Sequence, residues 1–117
     1  MLFDDYNSFI EFLKEISTPV NIMIFTHDDE TVHLQKFVRE INGKDVEFFG
    51  ISNIKFKEEN RRKGKFKEII SILEEKNFPV IVNDIINPIV DDFLNKRGWI
   101  EFKYLKNCGW TKSRIRK

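Results

Sequence analysis

The chain has no alanine, one cysteine (Cys108), three prolines and five glycines in 117 residues. A single cysteine excludes an intramolecular disulfide and leaves a zinc site short of thiolates. No apolar run comes near the ~18 residues that a membrane helix needs. Met1-Leu2-Phe3-Asp4-Asp5 places acids at the start with no basic flank, the wrong pattern for a secretory leader. These absences lead us to expect a cytoplasmic protein with no membrane partner. The lack of alanine, with abundant Ile, Lys, Phe and Asn, points to AT-rich coding, as in a bacterium or a virus in its host cytoplasm.

Apolar residues make up 41% and aromatics 14%, with twelve Phe. That excludes a disordered chain and suits one domain, residues 1–117, with one core. Net charge is +1 but unevenly spread. Residues 1–30 carry seven acids against Lys14, whereas residues 103–117 carry six bases and no acid. Residues 55–67 carry seven bases against Glu58 and Glu59. Two basic segments call for an anionic partner.

Residues 4–16 read as a helix, because Phe9, Phe12, Leu13 and Ile16 recur at helical spacing, with Asp4 or Asp5 as cap and Thr18-Pro19 as its end. Residues 21–26 form a short Ile-rich strand, followed by the polar turn 27–30. Residues 31–41 fit either a helix face or a hairpin arm. Asn42-Gly43 between two apolar runs favours the hairpin, with 45–56 as its return strand and Gly50 inside it. Residues 66–76 are helical, with Phe66, Ile69, Ile70 and Leu73 on one face. Residues 79–83 form a continuous apolar strand of the buried kind. Asn87-Pro88 opens another helix, whose expected buried stripe is Ile89, Val90, Phe93 and Leu94 and whose stop is Gly98. Residues 99–104 are a strand, and 110–115 fit a further one. The class is α/β (α+β): a mixed, mostly antiparallel sheet flanked by helices, in the order α-β-β-β-α-β-α-β(-β).

A basic glycine loop stands between a long strand and a helix, at Asn60-Arg61-Arg62-Lys63-Gly64-Lys65-Phe66. Helix starts offer free N–H groups and partial positive charge, a seat for phosphate, and a glycine lets the backbone come close. Arg62, Lys63 and Lys65 add charge around that seat.

The order and the loop together resemble the GCN5-related N-acetyltransferase family. Its signature runs Arg or Gln, two residues, Gly, one residue, then Gly or Ala, straight after an extended strand. Arg61 and Gly64 match, while Phe66 stands where Gly or Ala is usual. Asn87, Val90 and Gly98-Trp99 match the family's downstream block, so the resemblance covers roughly residues 45–102. It implies acetyl-CoA as co-substrate, its pyrophosphate held at Arg61 to Phe66 and its pantetheine arm beside Ile54, Lys55 and Phe56, with residues 80–83 across the cleft. It further implies acetyl transfer to a primary amine, on a small molecule or on a protein lysine or N-terminus.

The sequence departs from the family at its acid–base positions. The general-base Glu expected eleven residues before Arg61 is Gly50, with Glu47 nearby on the opposite parity. The thiolate-protonating Tyr expected four residues before Gly98 is Leu94. Substitutes by sequence position are Ser52, Asn87 and Tyr104, with Asn53, Asp84 and Cys108 also near. The departure motivates a second reading, a non-catalytic protein that binds a CoA ester or another protein as a regulator. A third reading is a nucleic-acid-binding module using Arg61 to Lys67 and the basic tail. Asn87 also reads as a plain helix cap, Trp99 as core, Cys108 as a small hydrophobe and the tail from Lys112 as a solvated terminus. His27 and His33 flank an acidic turn, which reads as solvated, and no metal is expected. So short a chain leaves little to wall an acceptor pocket, which favours a homodimer or a macromolecular acceptor in an open groove.

Overall fold

The computed structural model describes residues 1–56, 64–83, 85–106 and 109–116, leaving aside the side chains of 39, 41, 104–106 and 109–111. Along them run β1 (Leu2–Phe3), α1 (Tyr6–Glu15), β2 (Ile22–His27), β3 (Glu30–Ile41), β4 (Lys44–Lys55), α2 (Lys65–Glu75), β5 (Val80–Val82), α3 (Pro88–Lys96), β6 (Ile100–Lys106) and β7 (Gly109–Arg116). The strands form one open mixed sheet in the order β1-β2-β3-β4-β5-β7-β6. Four of its pairings are antiparallel; β1 with β2 and β4 with β5 are parallel. The architecture is α+β, with three helices among the described residues. None of them is long and apolar enough to cross a membrane.

Local chemistry sets most boundaries. Asp5 caps α1 by accepting from Ser8 N–H at 3.1 Å and Ser8 Oγ at 2.8 Å. Asn42 and Gly43, at φ +53° and +78°, make the two-residue turn that joins β3 to β4 in the register Ile41↔Lys44. Asp28 and Asp29, at φ +47° and +64°, join β2 to β3 in the same way. The ambiguous segment 31–41 is therefore strand. Asn87 Oδ1 accepts from Ile89 N–H at 2.9 Å, with Pro88 in the first turn of α3.

The helices share one core on one face of the sheet. Phe9, Ile10 and Leu13 of α1, Ile69, Ile70 and Leu73 of α2, and Leu94 of α3 meet Met23, Phe25, Val32, Leu34, Phe49, Ile51, Val80 and Val82. Trp99 joins them and donates Nε1–H to Glu74 Oε2 at 3.0 Å. Burial alone would raise the Glu74 carboxyl, but the bonds from Arg97 and Trp99 outweigh it and hold the group below its ordinary range. Ile89 departs from the expected stripe and is 76% exposed. Five residues before the inward-facing Leu94, it lies about 140° round the helix.

The C-terminal basic segment is not a solvated tail. It forms β7, an inner strand between β5 and β6. Its cations alternate with Ser113 and Ile115, so they share the face that α3 covers. Arg114, 8% exposed, donates Nε–H to Asp91 Oδ1 at 2.8 Å and Nη1–H to the Trp99 carbonyl at 3.1 Å. Lys112 Nζ reaches Asp91 Oδ2 and Glu101 Oε1, each at 3.2 Å. The bond from Arg114, with Lys112 behind it, holds the Asp91 carboxyl below its ordinary range. Because the folded value is depressed, Asp91 stabilises the fold fully above about pH 4, and the contribution vanishes as pH falls through the folded value. We expect Asp91→Asn to lower the urea midpoint at pH 7 and the gap from the parent to close as pH drops below about 4; equal gaps at both pH values would contradict this assignment.

Candidate functional site

β4 keeps β3 beside it along its whole length, as far as Thr31↔Lys55. It keeps β5 for only three pairs, ending at Ile51↔Val82. Asn83 N–H makes the last bond, to the Ile51 carbonyl at 3.0 Å. The chain then leaves for β7, where Ile85 N–H donates to the Lys112 carbonyl at 2.8 Å. Among the described residues, four more residues of β4, from Ser52 to Lys55, run on with no strand on that edge. A parallel pair that parts in this way exposes a row of backbone donors and acceptors to a ligand.

β4 also changes parity there. Phe49 and Ile51 belong to the helix-covered core, and so do Phe56 and, partly, Ile54. One residue is therefore extra between Ile51 and Ile54. The register slips between Thr31 and His33, and Asn53 takes φ +50°. This bulge leaves Ser52 and Asn53 both on the face away from the helices. On that face His33 pairs with Ser52 in the register, and its Nδ1 lies 3.2 Å from Asn53 Nδ2.

α2 starts at Gly64, which has φ +77° and provides no side-chain cap. A Cβ built at Gly64 would meet no atom within 4 Å, so an L side chain is opposed there by backbone strain and not by crowding. The first turn is fixed from behind. Lys65 Nζ bonds Glu30 Oε1 at 3.2 Å, with the Glu30 side chain only 5% exposed, and lies 4.7 Å from the centre of the Tyr6 ring. The Tyr6 hydroxyl lies 3.0 Å from the Lys65 carbonyl oxygen and 2.8 Å from Glu68 Oε1. Burial, then the Glu68 bond, pushes that hydroxyl well above its ordinary value, so it acts as a permanent donor. Sequence reading missed this cluster, since its members come from α1, β3 and α2 and no local signal joins them.

The expected site residues divide in three. Lys55, Ser52 and the edge of β4 lie at or beside the parting, while Gly64 heads α2. Others serve the fold: Phe56 is buried, Ile54 packs on the core, Phe66 lies 5.7 Å from Phe93, and Lys65 is held by Glu30. Any ligand beside Ile54 and Phe56 would thus meet their backbone. Asn87 caps α3 through its oxygen, which leaves its Nδ2 group for a ligand. Arg61, Arg62, Lys63, Asp84 and Cys108 lie outside the described residues. Tyr104 pairs with Thr111 through the backbone of β6, and its side chain lies outside them too. His27 and His33 are not brought together: His27 pairs with Glu30 and His33 with Ile24. No group of three His, Cys, Asp or Glu able to hold a metal ion occurs among the described residues.

The two positions where acid–base residues were expected, Gly50 and Leu94, are committed to packing. Leu94 is fully buried. A Cβ on Gly50 would come within 2.5 Å of Phe37 Cε1 and 3.4 Å of Asn83 Nδ2. The Phe37 ring cannot yield freely, because it stacks on the buried Phe48 at 6.0 Å. Glu47 pairs with Val38, further toward the Asn42-Gly43 turn. The chain matches no protein-family model, no curated protein and no solved structure. We expect Gly50→Ala to destabilise by about 1–3 kcal/mol and Phe37→Leu to relieve part of that loss. Additive effects in a urea double-mutant cycle would remove Phe37 as the obstacle.

Proposed function

We propose that this protein is a small N-acetyltransferase of the GCN5-related kind, passing an acetyl group from acetyl-CoA to a primary amine. The observation that carries this reading is the parting of parallel β4 and β5 after Ile51↔Val82, with α2 following on from β4 and starting at an uncapped left-handed glycine. The pyrophosphate would take the N–H groups of the first turn of α2, at Lys65, Phe66 and Lys67, with Arg61, Arg62 and Lys63 supplying charge. The pantetheine amides would pair with the edge of β4 from Asn53 to Lys55, as an added strand does. The acetyl thioester would then lie near Ser52 and Asn83, where Asn87 Nδ2 is a further candidate donor. The order of elements and the mixed sheet are compatible with this family and do not single it out.

A specific observation favours the alternative, a CoA-ester-binding or protein-binding regulator on the same fold. Gly50 and Leu94 can neither accept nor supply a proton, and both are locked into packing. The nucleic-acid reading loses one of its two basic segments, since Lys112 and Arg114 are engaged by Asp91 and Glu101.

We expect acetyl-CoA to raise the melting temperature and to bind with measurable heat in calorimetry. With a panel of primary amines, thiol release should follow. Gly64→Val should cut CoA affinity by about 5- to 30-fold, the equivalent of the ~1–2 kcal/mol of left-handed strain it introduces, with the circular dichroism of the fold retained. Binding without thiol release would support the regulator. No heat and no stabilisation at millimolar acetyl-CoA would refute the enzyme and the CoA-ester-binding regulator and leave only the protein-binding one.

A further inference from the structure

Resting on the acetyl-transfer reading, we propose that His33 is the proton acceptor for the incoming amine, with Asn53 as the residue that positions it. An alkyl ammonium must lose a proton before it attacks a thioester, and the two family positions for acid–base work hold Gly50 and Leu94. His33 faces Ser52 across the β3–β4 ladder, one pair beyond the last contact of β4 with β5. It shares the face of Ser52 and Asn53, away from the helices. An imidazole is the side chain best suited to take up and release a proton near neutral pH.

The bulge explains why this histidine is held. An unbulged β4 would turn residue 53 toward the core; the extra residue and φ +50° bring the Asn53 amide to 3.2 Å from His33 Nδ1 instead. Asn is among the few residues that accept this conformation. Its amide can present either oxygen or nitrogen, the two orientations being isosteric. Asn53 Nδ2 faces Nδ1 in the structure; turning the isosteric amide puts its oxygen on Nδ1–H and leaves on Nε2 the lone pair that takes the proton. Ile24 on β2 and Ser52 on β4 flank His33, and Thr31 and Gln35 are its neighbours on β3. Lys55, opposite Thr31, is the neighbouring cation, while at the hairpin turn His27 pairs with Asp28, Asp29 is exposed, and Glu30 is held by Lys65.

The step balances without another reactant. Nε2 takes a proton from R–NH3⁺, and the freed nitrogen lone pair forms a C–N bond to the thioester carbonyl carbon. The C–S bond then breaks, the thiolate takes the second proton of the nitrogen, and amide and CoA thiol leave. The imidazolium returns its proton to water.

The test measures kcat/KM against pH with acetyl-CoA, using butylamine, spermidine and a lysine-bearing peptide as alkylamines and trifluoroethylamine as a weakly basic acceptor largely neutral at neutral pH. His33→Gln should lower kcat/KM for the alkylamines by at least about 100-fold and for trifluoroethylamine far less, with acetyl-CoA affinity unchanged. Asn53→Asp, whose carboxylate holds Nδ1–H more firmly, should move the acid limb of the profile upward. Equal losses with both acceptor classes, an unmoved acid limb, or parental turnover by His33→Gln would each overturn the proposal. Acetyl-CoA binding by the parent without thiol release from any acceptor would overturn it and leave the CoA-ester-binding regulator. No binding of acetyl-CoA would instead refute the reading on which it rests.

Discussion

Backbone N–H and C=O groups in a sheet need partners, and two parallel strands can part only where something else can meet those groups. β4 and β5 share three residue pairs, after which β5 ends and its chain turns to β7 while β4 stays with β3. The asymmetry of lengths, twelve residues in β4 against three in β5, creates the opening. The proposed cofactor path, the proposed proton acceptor and the packing at Gly50 all lie within a few residues of it.

The start of α2 depends on a second constraint. A helix that begins at an uncapped glycine frays unless something holds its first turn. Here the hold comes from behind, from Tyr6 on α1 and Glu30 at the head of β3, through Lys65 and Glu68. Tertiary contacts thus do what a capping side chain does elsewhere, and Gly64 itself offers no side chain to the N–H groups in front. Lys65, which looks in the sequence like charge for a phosphate, instead secures the helix.

Elements with local signals were legible in the sequence. Asp5, Asn42-Gly43 and Asn87-Pro88 mark a cap, a turn and a helix start through contacts within three residues, and each is found where those contacts require. Elements defined by distant partners were not. β1 is two residues long, too short for any period. The bulge at Asn53 is a slip of β4 against β3, and nothing in residues 51–54 alone reports a partner's register. Residues 110–115 fitted a strand, but the carboxylate that engages Lys112 and Arg114, Asp91, lies on α3, so the cations from Lys112 on read as a solvated tail. The site was half legible for the same reason: the glycine at the head of α2 shows in the sequence, whereas the parting of two strands, and the meeting of His33 with Asn53, exist only once the sheet is assembled.

β7 sits between β5 and β6, although it is made after both. Ile81 meets Ile115, 34 residues downstream, and only then can β6 be joined to the sheet. During synthesis on a ribosome, the outer edge of β5 therefore waits with its hydrogen-bonding groups unshielded while the whole of α3 and the β6–β7 hairpin emerge. That interval is when a nascent chain of this design is most open to capture by another strand, and docking of the hairpin as a preformed unit is the event that ends it.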